Sequence, residues 1–568
     1  MAMENAKIRA DLPVGNENYS TATVVIIGAG ISGLCVAMDL LKRNKCKSFV
    51  ILEKSSGLGG TWRDNKYPGC CCDVWSHLYS YSFAQNPDWS REYSGQEEIL
   101  NYLVSVAHKY ELYRYIRFNS SVERATWNNI TQGWDIQVRV LGAKDAEFGE
   151  AYTINADFLV SAVGQLNIPH FPAIPGLSEY KGKMMHSARW DLTYDLTGKN
   201  VAVIGVGSTA AQIVPAAAKL AKSLTVFQRT PNWVAPRNDS LIPTWKRSLY
   251  RYLPYTRWQK RAQMMDFRES TFAALAVPTA DRLKFFEERC RAHMEKQLPG
   301  REDLWKKLTP TYQLGCKRVI SSDDYYPAFL RDNVRLETRR IDRVTAQGIM
   351  VEGEEETYDL IILATGFQTT DFMRHVEIFG KNGQSISSLW KDGAEALKGV
   401  CVKTLPNFGM MYGPNTNLSH NSVILMIEAQ SRYINALIEE IIQAKLAGES
   451  ITIQPNPHRV DGYNKRLQAE LAKSSYADPN CDSWYKISST GKITTNWSRT
   501  VVEYQELLSE IDWADFEVSG TGADRLRSKG TRKYVGRVKE ESSGIWGSIG
   551  LVIFVVTALE LLRRGLWA

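Results

Sequence analysis

The sequence predicts an α/β fold in which two parallel-sheet domains, each discontinuous in sequence, carry a helical insert and are followed by a C-terminal apolar helix. Three observations lead there. Residues 23–27 (TVVII) and 200–204 (NVAVI) are short apolar strands that each run straight into a glycine-rich turn and then a helical stretch. Residues 157–164 and 359–366 share one form, an aspartate followed by an apolar strand and a glycine turn, and such strands carry a chain from one domain to another. Finally, 568 residues exceed what a single core ordinarily organises.

The first strand has the continuous β-branched character of a strand buried on both faces. It leads into Gly28-Ala29-Gly30-Ile31-Ser32-Gly33, a helix over 34–43, and a second strand over 48–52 ending at Glu53. This is a dinucleotide-binding, Rossmann-like βαβ unit. Gly28 makes the tight turn, Gly30 admits the pyrophosphate to the backbone, Gly33 lets helix pack on strand, and Glu53 accepts from a ribose hydroxyl.

The pattern recurs in Gly205-Val206-Gly207-Ser208-Thr209, a helix through residue 221, and a strand over 224–228. Here the strand ends in Arg229-Thr230, where the first unit has an acid. A carboxylate repels a 2′-phosphate, whereas a guanidinium forms charge-assisted bonds to one. The first site is therefore expected to hold FAD and the second NADPH.

The domain crossings are placed near residues 165 and 366. The predicted divisions are a first domain built from 1–165 and 367–518 and a second from 166–239 and 316–366. A helical insert spans 240–315, a polar linker 519–544, and a transmembrane tail anchor 545–562. The insert interleaves aromatics (Trp245, Tyr250, Tyr252, Trp258, Phe267, Phe285, Phe286) with basic residues and reads as an amphipathic helical cap. The net charge of +7, from 69 basic and 62 acidic residues, is too weak to argue for nucleic acid. Nine cysteines show no framework, and Cys70-Cys71-Cys72 lacks the spacing of a metal or redox site, so the thiols read as reduced, with no metal centre.

Residues 519–543 are polar and basic, whereas 545–562 is apolar apart from Trp546, Ser548, Thr557 and Glu560. Eighteen helical residues reach roughly 27 Å, about the hydrocarbon core of a thin bilayer. The upstream basic residues would keep the body of the protein in the cytosol, on the endoplasmic reticulum in a eukaryote. No secretory signal precedes the first strand.

Beyond these units, residues 180–191 (YKGKMMHSARWD) resemble the fingerprint F-x-G-x-x-x-H-x-x-x-W-[PD] of the Baeyer–Villiger branch of the class B flavin monooxygenases, with Tyr180 in place of Phe. Gly59-Gly60-Thr61-Trp62 with Tyr67-Pro68-Gly69 and Asp73, and Cys316-Lys317-Arg318 ahead of Asp324-Tyr325-Tyr326, extend the resemblance over roughly residues 20 to 515. The resemblance implies an FAD- and NADPH-dependent enzyme that inserts one atom of dioxygen beside a ketone carbonyl. Arg318 would be the active-site arginine, stabilising an anionic oxygen nucleophile and the oxyanion of the tetrahedral adduct, with Asp73 holding it in place. Lys317 and Arg229, with Thr230, would meet the 2′-phosphate. Thr61, Trp62 and Tyr79 would contact FAD, Trp484 would lie near the nicotinamide, and His186 and Trp190 would couple the domains. A fixed cation that keeps its proton suits this chemistry, which favours Arg over Lys or His.

The rival activity on the same fold is oxidation of nitrogen or sulfur, disfavoured by the Trp190-Asp191 ending and by Arg318 with Asp73. A disulfide reductase is disfavoured because no spaced cysteine pair follows Glu53, and a catalytically dead binding protein because the glycines and charged residues are intact. The substrate class expected for an aromatic-rich chain on a membrane is a large apolar ketone of terpenoid, steroid or polyketide type. No protein partner is expected.

Overall fold

The computed structural model describes residues 19–142, 149–277, 280–373 and 375–537. The strand Thr21–Ile27 lies between Phe49–Leu52 and Ala151–Ser161 and is parallel to both. All of its residues but Thr21 are buried. Its apolar run shows no alternation because both faces are covered. Val24 and Ile26 pack with the helix Ile31–Lys42, which is backed by Val423–Leu446. Val25 and Ile27 pack with Trp127, Trp134 and Ile136. This sheet continues through the antiparallel strands Gly133–Val140 and Ser120–Asn128 to Glu377–Phe379 at one edge, and ends at Ile116–Arg117 at the other.

The second sheet runs Val334–Glu337, Ser223–Phe227, Asn200–Ile204, Leu360–Leu363, Lys183–His186, all parallel. The helix Ser208–Ala217 packs on one face. The antiparallel unit Ile341–Val344, Gly348–Val351 and Glu354–Thr357 packs on the other.

The chain passes from the first sheet to the second between residues 161 and 183 and returns between 363 and 377. The two passages run side by side. Pro169 and Phe367 form an isolated bridge, His170 N–H donates to the Gly366 carbonyl at 2.9 Å, and Gln368 N–H to that of Ile168 at 3.0 Å.

Between two strands of the second sheet the chain makes the helices Thr244–Tyr252, Pro254–Leu275, Ala280–Gln297 and Glu302–Leu308. The longest of the four, Pro254–Leu275, turns charge inward as well as outward. Arg261 is 2% exposed and donates to the carbonyls of His77 and Ser80 and to Ser80 Oγ. A buried guanidinium is tolerable only when paired in this way.

Two expectations are corrected. Residues 519–537 are not a linker. The strand Phe516–Ser519 pairs with Thr452–Pro455, a helix follows over Ala523–Ser528, and Arg532–Tyr534 pairs with Glu510–Asp512. The basic residues there serve fixed acids, Lys529 and Lys533 both reaching Glu440 at 2.7 and 2.8 Å and Arg525 reaching Glu449 at 2.8 Å. Nor are all the thiols reduced, for Cys316 and Cys481 form a disulfide. A separation of 165 residues carries no pairing signal in the sequence. Among the described residues no helix is long and apolar enough to cross a membrane; the expected anchor, 545–562, lies outside the described residues.

Candidate active site

The first glycine turn is forced by sterics. Gly28 has φ +105°, and a Cβ there would sit 2.7 Å from the Ala162 carbonyl oxygen. A Cβ on Gly33 would sit 1.9 Å from the Gly28 oxygen. The helix begins at Ile31, three residues before the expected start at 34, and Gly30 is its N-cap, so its free amides face outward from the turn, where a phosphate is favoured. Opposite lies Gly60, in the left-handed region, with Gly59 N–H bonded to the Ala29 carbonyl at 3.0 Å. These facing glycines leave a side-chain-free cradle that fits a pyrophosphate.

Glu53 is 6% exposed, and both its oxygens are engaged, accepting from Ala29 N–H at 2.7 Å and Ser55 N–H at 2.8 Å. It therefore braces the glycine turn as well as standing at the expected ribose position. Thr61 and Trp62 open the short helix that follows Gly60, and Trp62 Nε1 donates to the Tyr79 hydroxyl at 3.2 Å.

In the second unit Gly205 repeats the strained turn at φ +114°, whereas a Cβ on Gly207 would meet nothing within 4 Å. Ser208 and Thr209 start the helix behind it. Arg229 is largely exposed and its nearest carboxylate, on Asp482, is 3.8 Å away. Thr230 follows it, half-buried, and Lys317 approaches from the far side of the insert with Nζ 4.9 Å from the Tyr312 ring centre. Burial, then the neighbouring Arg229 charge, lowers the Lys317 ammonium pKa. Two cations served by a single distant acid fit a dianionic 2′-phosphate.

Sequence reasoning did not find the contact between the two units. Gln212 accepts from the Tyr67 hydroxyl at 2.9 Å and donates to the Cys71 carbonyl at 3.0 Å. Gly69 lies against the same helix, where a Cβ would be 2.4 Å from the Gln212 carbonyl oxygen.

Where the two units meet, Arg318 and Asp73 form a two-pronged ion pair. Nε donates to Oδ2 at 2.5 Å and Nη2 to Oδ1 at 2.8 Å, and Nη1 donates to the Leu418 carbonyl at 3.0 Å. Burial works against the charge of each. The pairing outweighs it, raising the arginine pKa and holding the Asp73 carboxyl below the usual range. Tyr412 and Tyr485 stand beside the pair, their hydroxyl pKa values raised by burial. Trp484 stacks edge-on against Tyr485 at 4.6 Å, and its carbonyl accepts from Thr369 Oγ1 at 3.0 Å. The disulfide joins the residue preceding Lys317-Arg318 to the segment that carries Asp482, Trp484 and Tyr485.

His186 and Trp190 lie apart from this group. His186 ends the strand Lys183–His186 and lies against Phe171 and Phe367, one from each passage between the sheets, with ring centres 5.5 and 6.3 Å away. Burial pushes its imidazole pKa down to about 4. Trp190 is half-buried, and its neighbour Asp191 pairs with Lys183 at 2.5 Å. A cavity of about 570 Å³ elsewhere, lined by Arg459, Arg466, Glu506 and Asp515, shares no residue with the Arg318 group.

Among known proteins, the flavin-binding monooxygenase-like family matches residues 21–253. The chain is 50% identical over 529 residues to the FAD-binding monooxygenase ktnD of Aspergillus niger, covering 93% of this chain and 87% of that protein. It is 40% identical over 496 residues to a Baeyer-Villiger monooxygenase of Streptomyces coelicolor, covering 87% and 92% respectively. A solved structure of OTEMO in complex with FAD and NADP is similar to it with a TM-score of 0.75 and 26% identity, covering 88% of this chain and 99% of that one.

Proposed function

Because the chain belongs to the Baeyer–Villiger branch of the flavin-binding monooxygenases and uses FAD and NADPH, we propose that Arg318, oriented by Asp73, is the residue that makes oxygen insertion beside a ketone carbonyl possible here. The observation that carries this is the two-pronged pair. A guanidinium has five N–H donors. Three are committed, two to Asp73 and one to the Leu418 carbonyl. One hydrogen on each terminal nitrogen stays available, and these can stabilise the anionic oxygen nucleophile and then the substrate oxygen as it gains negative charge during addition. An arginine holds its proton throughout, so its charge persists from one step to the next.

When bound, FAD reduced by NADPH would supply the oxygen chemistry, one atom of dioxygen going to the ketone and the other leaving as water. The residues we assign to holding FAD are Gly28, Gly30, Gly33, Glu53, Gly60, Thr61, Trp62 and Tyr79. Those we assign to holding NADPH are Gly205, Gly207, Ser208, Thr209, Arg229, Thr230 and Lys317, with Trp484 assigned to the nicotinamide. His186, wedged against both passages between the sheets, is assigned to coupling the domains, together with Trp190.

Arg318→Ala is expected to retain FAD and NADPH-driven flavin reduction while ester or lactone formation is lost. Near-normal product yield in that variant would remove Arg318 from the mechanism.

The substrate we propose is a large apolar ketone of terpenoid, steroid or polyketide type. Mass spectrometry of a polycyclic ketone incubated with isotopically labelled dioxygen tests it. We further propose that residues 545–562 anchor the enzyme in a membrane with the catalytic body cytosolic. Eighteen residues without Lys or Arg support this reading. Deleting residues from Ile545 onward should then move the protein from the membrane to the soluble fraction with FAD retained. A full-length protein released by carbonate washing would overturn the anchor.

A further inference from the structure

We infer that Arg268 and Glu269, consecutive residues of the insert helix Pro254–Leu275, are positioning residues that each hold the chain segment supplying one of the two anchors of Arg318. The inference rests on the role of Arg318 proposed above. Arg318 is fixed at two points, the Asp73 carboxylate and the Leu418 carbonyl.

At the first anchor, Arg268 Nη2 donates to the backbone carbonyl of Asp73 at 3.2 Å. Its guanidinium lies 4.8 Å from the ring centre of Trp75, two residues further on. Its Nε–H is buried with no hydrogen-bond partner among the described residues. At the second anchor, Glu269 Oε1 accepts from Asn421 Nδ2 at 2.8 Å and lies 3.1 Å from His420 Nε2. These residues follow Leu418 by three and two positions. Glu269 also accepts from Val501 and Val502 N–H at 3.4 Å, which ties the loop to the body of the first domain. Phe272, one turn along the same face, packs on the His420 ring at 5.0 Å.

The arrangement also sets the charge of the site. Arg318 and Asp73 alone sum to zero. Arg268 adds a second cation beside the same aspartate, on the side of the site where an oxygen anion has to be stabilised, whereas the Glu269 carboxylate lies at the other anchor, engaged by His420 and Asn421. The bland alternative is that Arg268 and Glu269 merely fasten the insert to the body. Arg261 provides the comparison within the molecule. It lies two turns earlier on the same helix and is more deeply buried, and it binds the His77 carbonyl and Ser80, neither of which is an anchor of Arg318.

The test uses the full-length holoenzyme and needs no known ketone. Reduced enzyme is mixed with aerated buffer, and recovery of oxidised flavin absorbance is followed together with hydrogen peroxide release. Arg268→Met and Glu269→Gln are expected to keep their FAD content while recovering several-fold faster than wild type, with matching peroxide release. Arg268→Lys, which keeps the charge, should restore much of the slow recovery. Arg261→Met should lower the melting temperature and leave the recovery rate near wild type. Hydrogen–deuterium exchange should rise in peptides covering 70–76 for Arg268→Met and 415–422 for Glu269→Gln. Unchanged recovery in both variants, or the same acceleration in Arg261→Met, would overturn the inference. Should Arg318→Ala itself recover at the wild-type rate, the underlying reading of Arg318 fails instead. The two failures are thereby told apart.

Discussion

The two glycine-turn units are built on one plan and finished differently. In the first, the glycine turn is roofed by a second glycine pair, Gly59-Gly60, and the terminal acid, Glu53, is buried with both oxygens bonded to backbone amides. In the second, Gly207 faces open space and the corresponding terminal residue, Arg229, stands exposed beside Lys317. A buried carboxylate tied on both oxygens to backbone amides, with lone pairs left for a hydroxyl, belongs to a site whose frame is set as folded. A pair of cations with one distant acid belongs to a site that waits for an anion. The first arrangement suits a cofactor that stays, and the second suits one that arrives, reacts and leaves.

The largest expected effect comes from making the same substitution in both units. Gly33→Ala forces a methyl to within 1.9 Å of the Gly28 carbonyl oxygen, so the purified protein should lack FAD or fail to fold. Gly207→Ala meets no atom within 4 Å, so it should fold, hold FAD, and raise KM for NADPH alone. Flavin absorbance per mole of protein and steady-state kinetics check both, and FAD loss from Gly207→Ala would erase the contrast.

A smaller effect is expected at Arg229. Losing a charge-assisted contact costs roughly 1.5–3 kcal/mol, so Arg229→Ala should weaken NADPH about ten- to a hundredfold. NADH, which lacks the 2′-phosphate, should hardly change. Equal losses for the two coenzymes in titrations of flavin reduction would make Arg229 structural.

The smallest effect concerns the seam between the units. The His186 imidazole, ordinarily near 6.5, is lowered to about 4 by burial. Between those values the unfolded chain takes up a proton that the folded chain does not. The contribution is therefore complete above about pH 6.5 and is lost as pH falls toward 4. Melting temperatures across this window should fall less steeply in His186→Asn than in wild type, and parallel curves would show that the folded imidazole titrates normally.

Much of this contrast is legible in the sequence. Strand, glycine turn, helix and terminal charge are local features, so residues 23–53 and 200–230 announce themselves. The Arg318–Asp73 pair was reached through motifs, since 245 residues separate the partners and no periodicity connects them. Gln212, Arg268 and Glu269 were missed for the same reason. Each makes its decisive contact with a segment far away in the chain, and a polar residue on a helix otherwise reads as a solvated face. The misreading of 519–537 has a related cause. A basic, glycine-containing stretch looks like a linker until the acids it serves, Glu440 and Glu449, are seen to face it.

The Cys316–Cys481 bridge bears on how the two domains can move. Two bodies whose chain crosses in two adjacent strands turn most easily about the line through both passages, and contacts such as Gln212 with Tyr67 or Arg318 with Asp73 resist that turn without a covalent bond. A covalent tie placed off that line acts on the turn as a bolt acts on a hinged door. Cys316 belongs to the loop that carries Lys317 and Arg318, and Cys481 to the segment whose later residues bond to Asn415 and Asn417, so the bridge is such a tie. With it closed, the segment that carries Trp484 and the loop that carries Lys317 and Arg318 are held together covalently. Opening it would let one swing without the other.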